Sequence, residues 1–200
     1  MKGIHPDTCI HHIYMDPNIP PARQPQRRMN PALKDIVKEK LQKLLTNSFI
    51  YPISDSKWVS LLVVVPKKDT GKWCICVDFR ELNKATIKDC FPLPFIDQVL
   101  DTLSGKQYFS FLDRYSGYNQ ILIAPKDQDK TNFTCPWGTF VYQVLPFGLC
   151  NTPTTFQRAV LGTFSDIIHD CVEVYMDDFT AYGNTFQESL DNLEKVLIRC

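Results

Sequence analysis

Two apolar, strand-like stretches, Val172 to Met176 and Phe179 to Tyr182, are separated by nothing but Asp177-Asp178. A β-branched run that breaks for two residues and resumes at once reads as a tight hairpin, its turn projecting from a buried sheet. Asp177-Asp178 is also the one place in the chain where two acidic side chains are adjacent. Their mutual repulsion is unfavourable unless solvent or a cation relieves it. A further strand signal, Gln107 to Leu112, ends on Asp113, a third carboxylate that the same sheet edge would accommodate. Three convergent carboxylates are what two Mg²⁺ ions need, about 3.5–4 Å apart, to clamp the attacking and leaving oxygens of an in-line phosphoryl transfer. By spacing alone, a solvated Asp pair in an ordinary turn is the commoner explanation.

The remaining pattern predicts an α+β protein, because strands and helices alternate without a strict βαβ rhythm. Residues 1–29 read as an irregular basic arm. Pro6, Pro17, Pro20, Pro21 and Pro25 break any helix there, and Arg23, Arg27 and Arg28 supply positive charge, for a phosphate or simply for solvent. Asn30-Pro31 offers a cap and a first-turn proline, and Leu33, Ile36, Val37, Leu41, Leu44 and Leu45 follow at helical spacing, so a helix is expected over 31–46. Trp58 to Val65 reads as a buried strand, 66–71 as a polar turn with lysines, and Lys72 to Phe79 as the returning strand. A short helix is expected over Phe95 to Leu103, ended by Gly105, and strand-like segments at 118–123 and 140–144. Thr152-Pro153 opens a helix bearing Phe156, Val160, Phe164 and Ile167 on one face. Thr185 with Glu188 forms a capping box before a last helical pattern that is still running at Cys200.

Composition excludes several classes. With 44% hydrophobic residues, 12% aromatics and 22 basic against 22 acidic side chains, the chain has the apolar content of a folded core, not of a disordered segment. Its longest aliphatic run, Leu61 to Val65, is five residues, far short of the ~20 that span a bilayer. The first twenty residues carry no apolar signal region, so an intracellular, cytoplasmic setting is expected. The charge is segregated, with 15 Lys/Arg and 10 Asp/Glu in residues 1–100 but 7 and 12 in residues 101–200. That suits a protein holding a polyanion with one part and cations with the other, and equally a surface that happens to segregate. The eight cysteines are read as reduced thiols. Cys74 and Cys76 are expected on opposite faces of their strand, unable to chelate one metal together.

The words around the acidic turn give it a family. Tyr175-Met176-Asp177-Asp178 resembles the YxDD box of reverse transcriptases. Phe111-Leu112-Asp113 with Ser116-Gly117-Tyr118-Asn119-Gln120-Ile121 resembles the first catalytic-aspartate motif, and Val77-Asp78-Phe79-Arg80-Glu81-Leu82-Asn83-Lys84 the fingers-to-palm signature. Leu145-Pro146-Phe147-Gly148-Leu149, then Pro153 and Thr155-Phe156-Gln157-Arg158, resembles the nucleotide-pocket segment and the helix after it. Together these ordered motifs resemble the fingers and palm of a gypsy-type LTR retrotransposon polyprotein of the kind found in plants.

The resemblance implies a right-hand polymerase fold whose antiparallel palm sheet packs on helices, without the thumb, connection and RNase H regions. It divides the chain into the arm at 1–29, fingers and the start of the palm at 30–100, palm at 101–124, a fingers return at 125–148, and palm with the acidic hairpin at 149–200. It implies an RNA-directed DNA polymerase that joins dNTPs to a primer 3′-hydroxyl on an RNA or DNA template, working in a virus-like particle. Asp113 and Asp177 would be the principal ligands of two Mg²⁺ ions, or Mn²⁺, with Asp178 supporting. Lys67, Lys68 and Lys72 would face the triphosphate, with Lys67 foremost. Tyr118 would lie under the incoming sugar, while Phe147 and Gln157 line the template and nucleotide side. Arg23, Arg27 and Arg28 would meet the template–primer duplex.

Some residues depart from the family pattern. Cys74 stands where relatives usually carry the arginine of Lys-Trp-Arg, and Arg114 beside Asp113 where a small or aliphatic residue is common. Leu61 and Leu122 replace frequent prolines, and Thr152 and Thr154 frequent alanines. The Arg→Cys, Pro→Leu and Ala→Thr changes are each reachable by one transition, the mark of a silenced copy. The alternative expectation is therefore a catalytically impaired relic that folds, binds nucleic acid and polymerises nothing.

Overall fold

The computed structural model describes residues 3–66, 73–113, 117–176 and 178–199. Lys67, Lys68, Lys72, Arg114 and Asp177 lie outside the described residues. In chain order the elements are β1 (Ile10–His11), α1 (Pro31–Thr46), β2 (Ile50–Pro52), β3 (Ser60–Pro66), β4 (Trp73–Asp78), α2 (Arg80–Ala85), α3 (Ile96–Leu103) and β5 (Tyr108–Asp113). Then come β6 (Leu122–Ile123), β7 (Phe133–Cys135), β8 (Gly138–Tyr142), α4 (Thr152–Phe164), β9 (Val172–Tyr175), β10 (Asp178–Gly183) and α5 (Phe186–Arg199), with single 3₁₀ segments at Gly117–Gln120 and Pro125–Thr131. No helix of the described residues is long and apolar enough to cross a membrane.

The chain divides into two compact units. The first gathers Met1–Gly3, Ile10–Lys88 and Tyr118–Thr152 around a five-stranded sheet of order β2-β8-β7-β3-β4. Its β3–β4 pair is the antiparallel hairpin expected from the sequence, while β3 and β7 run parallel. The helical stripe of α1 closes one face: Val37 and Leu41 are buried with Ile50, Leu62, Phe133 and Phe140. Phe133 and Phe140 sit directly opposite each other on β7 and β8, their ring centroids 6.0 Å apart. Pairing on one side and α1 on the other explain why this short-stranded sheet holds together.

Three expectations meet a different local structure here. The N-terminal segment forms no helix, as its prolines require, yet it is no loose arm. β1 pairs parallel with β6, Met15 and Arg23 bridge Thr86 and Val59, and His11 and Ile13 are each 2% exposed. Extended backbone still carries donors and acceptors, and these have found partners. Residues 118–123 are not one strand, because the 3₁₀ turn through Gln120 leaves only Leu122–Ile123 to pair. Finally, Cys74 and Cys76 do not point to opposite faces. Alternation along a strand returns residues i and i+2 to the same face, and their Sγ atoms lie 3.4 Å apart.

The second unit gathers Ile4–Cys9, Asp89–Gly117 and Pro153–Cys200 around an antiparallel sheet of order β5-β10-β9. The face carrying Val174, Phe179 and Ala181 is buried, and α4 packs there through Phe164, whose ring centroid is 5.4 Å from that of Phe179. Gly183 ends β10 where α5 begins to pack. A Cβ there would lie 2.6 Å from the Ser189 backbone nitrogen, so no other residue fits without moving the helix. The start of α5 carries the expected cap, with the Glu188 N–H donating to Thr185 Oγ1 at 3.2 Å. The Glu188 carboxylate accepts from the Asn184 N–H at 2.8 Å.

Candidate functional site

In the second unit the register of the sheet decides which carboxylates meet. Asp178 lies directly opposite Asp113 on β5 and opposite Tyr175 on β9. Residues facing each other across an antiparallel pair project from one face, with Cβ atoms about 4.5–5.5 Å apart. Asp113 and Asp178 are both exposed, so they form a carboxylate pair at an open end of the sheet. Tyr175 and Asp178 pair, so β9 and β10 are joined by a two-residue connection that begins at Met176. Met176 takes φ +53°, the positive value that a two-residue hairpin demands at its first central position. Holding a non-glycine residue there costs about 1–3 kcal/mol, strain of the kind that gathers at functional turns.

Like charges directly opposite destabilise a sheet, and the described residues offer no third His, Cys, Asp or Glu that would complete a metal-binding group with this pair. The donor chemistry nevertheless fits a hard divalent cation: two exposed carboxylates from adjacent strands, with Asp177 next in sequence to one of them.

In the first unit, Tyr118 stands on the 3₁₀ turn with its ring 6.4 Å from that of Phe147, which is 76% exposed. Phe147 is presented by a loop whose next residue, Gly148, takes φ +103°, a value open to glycine. Asn83 on α2 clamps this loop from both sides of its amide. Its Nδ2 donates to the Gly148 carbonyl at 2.8 Å and its Oδ1 accepts from the Cys150 N–H at 2.8 Å. The sequence shows Asn83 only as one letter of a motif, and nothing local marks a partner 65 residues away. Asn83→Ala removes both bonds and is expected to destabilise the chain by about 1–3 kcal/mol, read as a shift in the urea unfolding midpoint. Asn83→Asp keeps only the acceptor half and should fall between.

Beside this loop, Arg80 grips Asp78 with two parallel bonds, Nε to Oδ1 at 2.8 Å and Nη2 to Oδ2 at 2.6 Å. Those bonds hold the Asp78 carboxyl below its ordinary range, with a smaller contribution from the charge of Arg27. Arg27 and Arg28 are exposed. Arg23 is committed within the protein, donating to the Ser56 carbonyl and pairing with Asp55 at 2.7 Å. Gln157, in the second unit, is 4% exposed. It lines a cavity of about 280 Å³ with Pro92, Phe95, His169 and Glu173.

The match to known proteins is extensive. The family model described as reverse transcriptase (RNA-dependent DNA polymerase) matches residues 65–200. The Retrovirus-related Pol polyprotein from transposon 412 of Drosophila melanogaster is 38% identical over 169 residues, 82% of this chain and 14% of that polyprotein. An RNA-directed DNA polymerase homolog of Oenothera berteroana is 37% identical over 125 residues, 61% of this chain and 88% of that protein. Among solved structures, the foamy viral protease-reverse transcriptase in complex with RNA/DNA hybrid is similar with a TM-score of 0.83 and 26% identity, over 94% of this chain and 25% of that one. The chain thus spans about a seventh of the transposon 412 polyprotein and a quarter of the foamy viral enzyme.

Proposed function

This chain belongs to the reverse transcriptase (RNA-dependent DNA polymerase) family, and on that premise we propose that it forms the fingers and palm of a retroelement polymerase that extends a primer 3′-hydroxyl with dNTPs on an RNA or DNA template. The observation that carries this reading is the pairing of Asp113 with Asp178 at the exposed end of the second unit's sheet. That unit is assigned to the palm, and the five-stranded unit to the fingers. Mg²⁺, or Mn²⁺, held by Asp113, Asp178 and Asp177, would lower the pKa of the primer hydroxyl and neutralise charge on the departing pyrophosphate.

The chain's own residues do the rest by positioning. Tyr118, backed by Phe147, offers an aromatic edge to the sugar of the incoming nucleotide, where a 2′-hydroxyl would collide. Asn83 holds the Phe147 loop to that task. Lys67, Lys68 and Lys72 would meet the triphosphate. Arg27 and Arg28, both exposed, suit the phosphates of a template–primer duplex, which is held largely without reading its sequence. Gln157, being buried, supports the helix α4 scaffold from within. Downstream thumb and RNase H regions of a polyprotein would complete the hand, and a virus-like particle would house it.

Cys74 favours a second reading, the non-polymerising relic. It sits on β4, where the family resemblance expects an arginine that grips the triphosphate. A charge-assisted hydrogen bond contributes about 1.5–3 kcal/mol, and about 1.4 kcal/mol is tenfold in an equilibrium. Cys74→Arg is therefore expected to improve dNTP use by about ten- to a hundred-fold, measured by primer extension on an RNA template with the chain joined to its thumb. Incorporation by the unmodified chain, lost in Asp177→Asn, defeats the relic reading. Silence in the unmodified chain, in Cys74→Arg and in Cys74→Arg with Arg114→Gly defeats the polymerase.

A further inference from the structure

We propose that Cys74 and Cys76 form a chelating dithiol for an aryl trivalent arsenical, the two sulfurs closing on one arsenic centre. The pair is preorganised. Its Sγ atoms are 3.4 Å apart on one face of β4, and both residues are half-buried. β4 is the edge strand of its sheet, so the pair is approached without opening a ladder. The two cysteines line a cleft of about 240 Å³ whose other walls include Leu41, Leu62, Tyr142 and Phe147, apolar surfaces that suit an aromatic ring on the arsenic.

The chemistry of the pair selects this class over others. Structural zinc takes four ligands, and no group of three or more His, Cys, Asp or Glu that could hold a metal occurs among the described residues. Burial, then the hydrogen bond and charge of Cys74, push the Cys76 thiol up to about 11. An arsenoxide removes the thiol protons: two As–S bonds form, the arsenic–oxygen bond breaks, and both protons leave on that oxygen as water. Arsenic stays trivalent and no oxidant is needed. Closure to a disulfide is disfavoured by the strand itself, since residues i and i+2 of an extended strand have Cα atoms about 6.6 Å apart, near the upper limit of about 6.8 Å for a bridge.

The test is incubation of the folded chain with phenylarsine oxide, followed by washing with 2-mercaptoethanol, which strips arsenic from single thiols but not from a chelating pair. Intact mass should show one phenylarsenic adduct retained. Trypsin, cutting after Lys72 and Arg80, should place it on the peptide Trp73–Arg80, which contains these two cysteines and no others. Cys74→Ser and Cys76→Ser should each lose it. An adduct that washes away, that maps to another peptide, or that survives both substitutions overturns the proposal, as does recovery of the native pair as a disulfide. The peptide map needs no variant, so a substitution that disturbs folding leaves the test intact.

Discussion

Asp113→Asn is expected to lower primer extension by about a hundred- to a thousand-fold or more, the scale of removing one preorganised electrostatic group from a transition state, while the fold survives. The substitution keeps the size and shape of the side chain, and the residue is exposed at the last position of β5, where no packing depends on its charge. Its opposite neighbour is Asp178, so neutralising it relieves a like-charge pair. Without divalent metal the variant should be as stable as the parent or more so, by about 0.2–1 kcal/mol. Adding Mg²⁺ should then raise the thermal midpoint of the parent but not of the variant, because only a ligand that binds the native state stabilises it. A variant that is inactive and also less stable in metal-free buffer would mark Asp113 as structural, and the proposed metal cradle would fail with it.

The features readable from the string were those encoded locally. Helix α1 spans Pro31–Thr46 because Asn30-Pro31 starts it and a 3.6-residue stripe runs through it, and both signals lie within sixteen residues. The capping box at Thr185 and the hairpin of β9 and β10 are equally short-range. The pairing of Asp113 with Asp178 is different in kind. Each aspartate is visible at the end of an apolar run, but their opposition depends on register between distant strands, and a slip of one residue would turn one carboxylate to the other face. The strand pattern allowed Asp113 a place at the same sheet edge and the motif resemblance implied it, but neither fixed the register. Residues 118–123 show the limit of apolar content as a signal, since a short apolar run does not distinguish a strand from a tight turn. Nothing local in the sequence marks the partners of Asn83 or Asp127, because a polar side chain that ties distant backbone looks like any surface residue.

Asp127 is where that blindness has the largest consequence for stability, and Asp127→Ala is expected to cost about 3 kcal/mol. The residue is 3% exposed in the 3₁₀ segment and collects three donors. Lys130 Nζ bonds Oδ1, while the Ile13 N–H donates to Oδ2 and His12 Nδ1 lies against it, both at 3.2 Å. Burial works to raise its carboxyl pKa, but Lys130, the Ile13 amide and His12 more than offset it, so the group lies below the ordinary 3.8. Alanine would leave the Lys130 ammonium, whose side chain is 20% exposed, without a countercharge and the buried Ile13 amide without an acceptor. Breaking one side of a buried ion pair typically costs about 3–5 kcal/mol, and partial exposure of Lys130 puts this case at the lower end. The N-terminal segment should loosen first, seen as faster hydrogen exchange at Ile13 and at Ala124, whose N–H bonds the His11 carbonyl. The sign of the pH dependence follows from the depressed carboxyl. The unfolded chain binds the proton more readily, so the stabilisation is fully present above about pH 4 and is lost as pH falls through the folded value. The stability gap between parent and Asp127→Ala should therefore narrow in acid, measured by urea unfolding at pH 7 and pH 3. A gap below 1 kcal/mol at pH 7, or one that does not narrow in acid, would show that Asp127 does not anchor this segment.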